Sequence, residues 1–120
     1  MKKINDQWTL EEVDIVNTRV YLIFTRAWNY RGGKIYDTEK KFTLTSWKVE
    51  LRTFENGEDV IKEYSPWAII TIPAWIPNLF YFREDSEMIE WFDKKAKSEY
   101  FERYKHIKDA LQDSVNTLTK

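Results

Sequence analysis

Two short alternating runs flank an Asn-Gly pair, and that arrangement constrains this chain more than any other feature. Lys48-Val49-Glu50-Leu51-Arg52-Thr53-Phe54 leads into Asn56-Gly57, and Val60-Ile61-Lys62-Glu63-Tyr64 returns from it. Asn-Gly suits a type I′ turn, whose two central residues both need positive φ. Val20, Leu22 and Phe24 alternate with Tyr21, Ile23 and Thr25, the period of two that a strand imposes on its faces. Phe42-Thr43-Leu44-Thr45 reads as a further strand, and Ala68-Ile69-Ile70-Thr71-Ile72 as a buried strand stopped by Pro73. Pro77 sets a turn into Leu79-Phe80-Tyr81-Phe82, and Asp85-Ser86 turns into Met88-Ile89-Glu90-Trp91-Phe92. Arg31-Gly32-Gly33 is expected to break the strand that precedes it, because paired glycines permit a turn. Residues 8–16 are short and mixed in character. Seven or more short strands with closely spaced turns predict an all-β sandwich or barrel.

Past Asp93 the period becomes helical. Tyr100, Tyr104, Ile107, Leu111, Val115 and Leu118 recur at three- and four-residue spacing, which predicts one C-terminal amphipathic helix over about 94–117. Its other side mixes Lys95, Glu99, Glu102, Lys105, Asp109 and Gln112. A mixed polar face fits packing on the sheet or on a partner better than lying on a membrane surface.

Composition removes several functional classes. At 120 residues the chain is expected to form one domain, 1–120, with a barrel over about 15–92. There is no cysteine, which excludes disulfides, thiolate metal sites and cysteine nucleophiles. The single histidine, His106, excludes a multi-histidine metal site and reads as a surface residue of the helix. Nineteen basic against 20 acidic residues leave a net charge of −1, so no nucleic-acid partner is expected. No apolar run approaches the ~20 residues of a membrane span, and the first residues lack the apolar stretch of a signal peptide. No membrane partner is expected, and the cytoplasm is the expected compartment. Gly32-Gly33 lacks the spacing of a phosphate loop. Glu55, Glu58 and Asp59 flank the hairpin and read as solvated. Three glycines fall well below the usual ~7%, while there are six tryptophans. An ordinary core does not need that many indoles.

The segment Ile70-Thr71-Ile72-Pro73-Ala74-Trp75-Ile76-Pro77-Asn78-Leu79-Phe80-Tyr81-Phe82 resembles the second motif of small single-domain cupins. In that motif a strand ends in a Pro-Ala or Pro-Gly turn, followed by Pro-His and an apolar strand. Glu87-Met88-Ile89-Glu90-Trp91-Phe92 fits the last barrel strand of such a protein. Gly33-Lys34-Ile35-Tyr36, followed by Lys41, resembles the first motif, with its His-x-His after a glycine and then a glutamate. The resemblance spans roughly residues 15–105. It implies a cupin-like jelly-roll barrel, or double-stranded β-helix, with the helix appended.

The resemblance also implies that each metal-ligand position is substituted. Lys34 and Tyr36 stand at the two histidines of the first motif, Lys41 at its glutamate and Asn78 at the histidine of the second. Ammonium groups donate hydrogen bonds and repel a cation, so no metal and no other cofactor is expected. Trp47 and Trp75 stand where the family pattern has glycine, and Trp28 and Trp67 sit beside turns or strand ends. A bulky residue tolerates φ > 0 poorly. Two explanations stand side by side: sequence drift, or deliberate rebuilding of a cupin scaffold.

With Lys34, Tyr36 and Lys41 facing inward, alternation carries the same face through Thr43 and Thr45, and on later strands through Asn78, Phe80, Phe82, Met88 and Glu90. A slip of one residue inverts such assignments. Lys41 and Glu90 would then share the interior, as a structural ion pair or as groups with displaced pKa values. Three functions follow. The first is a metal-free binding protein whose pocket, made by Tyr36, Lys41, Asn78, Phe80, Phe82 and tryptophans Trp28, Trp47, Trp67 and Trp75, takes a small planar, apolar or sugar-like ligand. Its donors favour a ligand with an acceptor or anionic group. The second is an interaction module whose Trp and Tyr patch meets a protein partner. The third is a metal-independent enzyme using Lys34, Lys41 or Glu90. A homodimer is expected, because sheet edges need covering and Tyr21, Ile23 and Leu79 are candidates for an outer apolar face.

Overall fold

A computed structural model of the protein describes residues 2–4, 7–46 and 48–118, with side chains over 16–46 and 48–111. Among them are eleven strands and one helix, arranged as two antiparallel sheets. The six-stranded sheet runs β1 (Lys2–Ile4), β2 (Gln7–Ile15), β3 (Thr18–Thr25), β10 (Ser86–Asp93), β5 (Lys40–Ser46) and β8 (Ile69–Ile72). The five-stranded sheet runs β11 (Ser98–Tyr100), β4 (Asn29–Tyr36), β9 (Asn78–Phe82), β6 (Val49–Glu55) and β7 (Glu58–Tyr64). β10 lies between β3 and β5, and β9 between β4 and β6, so strands distant in the chain pair at the middle of each sheet, the jelly-roll arrangement of an all-β barrel.

The core lies between the sheets. Ile23, Phe42, Leu44, Ile70, Ile72 and Met88 come from one sheet and Val49, Leu51, Phe80 and Phe82 from the other. Phe42 and Phe80 meet edge to face at 4.6 Å, a favoured aromatic geometry. The hairpin at Asn56-Gly57 forms as the sequence predicts, with φ of 53° and 78° and β6 paired to β7 from Glu55↔Glu58 outward.

Several expectations change. Gly32-Gly33 does not break a strand: β4 continues through the pair, and the register against β9 shifts between Gly32 and Lys34. This is a bulge, which glycine supports by adopting φ of 97° and 85°. A Cβ on Gly32 would approach the Asn78 carbonyl oxygen to 3.3 Å. Residues 7–15 form a strand paired along β3. The helix α1 spans Glu102–Leu118 rather than starting near 94. The backbone of Lys95 donates to the Asp93 carboxylate at 2.7 Å, turning the chain into β11, so Tyr100 is a strand residue and the helical stripe begins at Tyr104. Ile23 and Leu79 are buried and supply no outer apolar face. Val115 and Leu118 lie in the helix, but their side chains are outside the described set.

Helix α1 is docked by a residue expected to be solvated. The Asp59 carboxylate accepts from Arg103 Nη2 at 2.7 Å and from the Tyr104 hydroxyl at 2.8 Å. The Arg103 hydrogen bond holds Asp59 below the ordinary carboxylate range. No described helix is long and apolar enough to cross a membrane.

Candidate functional site: a lysine at the barrel centre

Alternation on β5 puts Lys40, Phe42 and Leu44 inside and Lys41, Thr43 and Thr45 on the other face. Lys41 is therefore not in the interior. Its Nζ lies 3.7 Å from Glu39, beside an open groove on the outside of the barrel lined also by Trp91 and Asp93. Lys40 takes the inward place one residue earlier. The expected lysine–glutamate pair exists, with Lys40 in the role assigned to Lys41.

Lys40 is 2% exposed and Glu90 is 4% exposed. Lys40 Nζ sits 2.7 Å from Glu90 Oε1 and donates to Asn78 Oδ1 at 3.2 Å. Asn78 in turn donates from Nδ2 to the backbone carbonyl of Lys34 at the β4 bulge. The ammonium also lies 4.7 Å from the Tyr36 ring centre and 5.4 Å from that of Phe80, within cation–π range. Arg31 Nη2 is 3.8 Å from the other Glu90 oxygen.

Burial pulls the Lys40 amine below the ordinary lysine range, and the Glu90 charge opposes this. Burial pushes Glu90 up, but Lys40 and then Arg31 overcome it and hold the carboxyl below its ordinary value. Burial, with help from the Glu90 charge, keeps the Tyr36 phenol protonated.

A cavity of about 190 Å³ opens over this pair. Tyr36 and Phe80 form part of its wall, with Arg31 and Lys34 from β4, Tyr100 from β11 and Lys108 from α1. Lys108 Nζ donates to the Gly32 carbonyl at 2.8 Å. Lys34 and Lys108 lie 5.1 and 6.0 Å from the same Tyr100 ring centre.

These residues do not fit the divalent cation that the fold implies. The groups converging on the centre are an ammonium, an amide and a carboxylate already held by that ammonium. No group of three potential metal ligands occurs among the described residues. Lys40 places its own positive charge among the side chains that would otherwise surround a metal.

The structure brings together Lys34, Tyr36, Asn78, Phe80 and Glu90 from the sequence-derived candidates. Phe82 is buried in the core at 0% exposure, a neighbour of Phe80 rather than part of the cavity wall. The tryptophans do not line the cavity. Trp28, Trp67 and Trp75 are 63%, 71% and 66% exposed, because each occupies a turn that projects from the barrel. Trp47 lies outside the described residues. His106 is exposed, 3.8 Å from Glu102. Sequence reasoning missed Arg31, Lys40, Tyr100 and Lys108. Lys108 did carry a signal, since it follows Tyr104 by four residues on the buried side of the helix.

No family model matches the sequence, and no curated protein does. Solved structures do match. Oxalate oxidase in complex with the substrate analogue glycolate superimposes with a TM-score of 0.68 at 7% identity, over 82% of this chain and 56% of that one. Salicylate 1,2-dioxygenase from Pseudoaminobacter salicylatoxidans gives 0.65 at 10% identity, over 82% and 30%. Vicilin from Corylus avellana (hazelnut) gives 0.62 at 14%, over 70% and 26%. This chain thus spans between about a quarter and just over half of those chains. All three are cupin-fold proteins, and the protein described here has the cupin jelly-roll fold.

Proposed function

We propose that this protein is a metal-independent binding protein whose ligand enters the cavity over Lys40 and Glu90. The observation that carries this reading is the buried pair itself. An ion pair in an apolar interior contributes little net stability compared with a hydrophobic replacement, yet here it forms the floor of an open cavity with Tyr36 and Phe80 as apolar walls. Binding sites combine such walls with a few placed polar groups. An enzyme built on Lys41 loses support, since Lys41 faces outward. Trp28, Trp67 and Trp75 are what an interaction surface would use, but they stand on three separate turns.

Two measurements test the reading. Elemental analysis of purified, untagged protein is expected to find no stoichiometric Mn, Fe, Ni or Zn; such a metal resisting chelation would refute metal independence. A thermal-shift screen against sugars, aromatic acids, small carboxylates and nucleosides is expected to find a stabilising class. A ligand at a hundred times its Kd stabilises by about 2.7 kcal/mol. No shift with any class would remove the cavity as a binding site.

A further inference from the structure

We infer that the ligand of this cavity is a small carboxylate, whose charge is taken up between Lys34, Lys108 and Arg31. This rests on the cavity being the binding site. Four cationic side chains, Arg31, Lys34, Lys40 and Lys108, line it against one carboxylate, Glu90. Formally that is four minus one, an excess of three positive charges. Glu90 is engaged by Lys40 at 2.7 Å and by Arg31 at 3.8 Å, so its charge is already shared between those two cations and is not paired with Lys34 or Lys108. Lys108 reaches a neutral acceptor, the Gly32 carbonyl, and Lys34 lies against the Tyr100 ring that Lys108 also approaches. Burial depresses the Lys108 amine, and Lys34 and Arg31 depress it further. Cations crowded into one partly enclosed space repel one another more strongly than in water. An anion among them removes that repulsion and gains charge-assisted hydrogen bonds. The volume is roughly six waters' share of the liquid, which suits a small acid with its apolar part against Tyr36 and Phe80.

Isothermal titration with benzoate and succinate tests this, with benzamide and succinamide as neutral counterparts and inorganic phosphate as the competing anion. The carboxylates are expected to bind and the amides not. Lys108→Gln and Lys34→Gln should each weaken carboxylate binding by about tenfold or more, as for one lost bond to a charged group. Lys41→Gln, outside the cavity, should leave it unchanged. Lys34 makes no described side-chain hydrogen bond, so its variant keeps the test open if Lys108→Gln fails to fold. Amides binding as well as acids, or phosphate binding alone, would overturn the carboxylate assignment while leaving a binding cavity. No binding by any probe, with no other class found in the thermal screen, would overturn the cavity reading itself.

A separate observation supports a second inference. We infer that positions 28, 67 and 75 are glycine in the protein its source organism makes. Trp28, Trp67 and Trp75 have φ of 67°, 70° and 67°, the left-handed region that costs a side chain with a Cβ and is open to glycine. Each backbone is pinned there from outside: the N–H groups donate to the carbonyls of Phe82, Leu44 and Tyr36 at 2.6, 2.9 and 2.8 Å. Each indole is mostly exposed and so has little packing to offset the strain. Trp91, by contrast, lies on a strand and is half-buried. The chain has three glycines, all at positive φ. Drift or design would not confine one exchange to these turns, but a reassigned codon would: UGA is read as tryptophan in some bacterial genetic codes and as glycine in others.

The test is the coding sequence together with peptide mass spectrometry of protein from its source. UGA is expected at 28, 67 and 75, and also at 47, for which the cupin resemblance implies glycine; UGG is expected at 8 and 91. Peptides should carry glycine at the UGA positions. UGG codons at 28, 67 and 75, or peptides retaining tryptophan there, would overturn the inference.

Discussion

Glu90→Gln is expected to cost about 3–5 kcal/mol of folding stability, the range for removing one partner of a buried ion pair. The substitution preserves shape and leaves an amide oxygen for Lys40. It removes the charge that balances Lys40 at 2.7 Å and leaves Arg31, Lys34 and Lys108 around the same cavity. Against a typical domain stability of about 5–15 kcal/mol the loss brings the fold near its limit. Replacing both partners, Lys40→Met with Glu90→Leu, should recover most of it, because no uncompensated charge then remains. Urea unfolding at neutral pH measures both. A Glu90→Gln midpoint close to the parent's would mean that water or rearrangement already solvates Lys40.

The same pair sets an acid limit. Glu90 is held below its ordinary carboxylate value in the folded protein, so the unfolded chain takes up the proton first as pH falls. Its contribution is fully present above the unfolded-state pKa and drains away as pH drops through the ordinary carboxylate range towards the folded value. The acid limb of stability against pH should therefore be shallower in Glu90→Gln than in the parent.

The interior face of β9 and β10 was legible because nothing disturbs its period. Asn78, Phe80, Phe82, Met88 and Glu90 all fall inside as alternation requires. Lys40 was not, because residues 37–39 join β4 to β5 and a turn does not transmit the phase of one strand to the next; the inward series was carried one residue too far. In β2 the irregularity is inside the strand. The pairing with β3 skips Leu10, with Thr9 opposite Ile23 and Glu11 opposite Leu22. That puts Trp8-Thr9-Leu10 out of phase with Val13-Asp14-Ile15 and hides the alternation. Lys108 belongs to the site only because α1 packs across the Gly32-Gly33 bulge, where a Cβ on Gly33 would meet Lys108 Cδ at 3.2 Å. No local pattern encodes that long-range docking.

The triple replacement Trp28→Gly, Trp67→Gly and Trp75→Gly is expected to stabilise the recombinant protein. Left-handed backbone costs a side-chain-bearing residue about 1–2 kcal/mol, and glycine gives back roughly 0.4–1 kcal/mol through a freer unfolded chain. The net gain is about 0.5–1 kcal/mol at each site. Summed over sites on separate turns this reaches roughly 2 kcal/mol, or about 5–10 °C in Tm for a domain of this size. The sign is unusual, since glycine ordinarily weakens a fold; only a φ near 67–70° at all three positions reverses it. The alanine series separates strain from exposure. Alanine removes the indole but keeps Cβ, so Trp→Ala at these sites should leave Tm nearly unchanged. If the alanine triple gains as much as the glycine triple, indole exposure and not backbone strain is what these turns suffer. A glycine triple less stable than its parent would mean that the turns relax out of the left-handed region when they carry tryptophan.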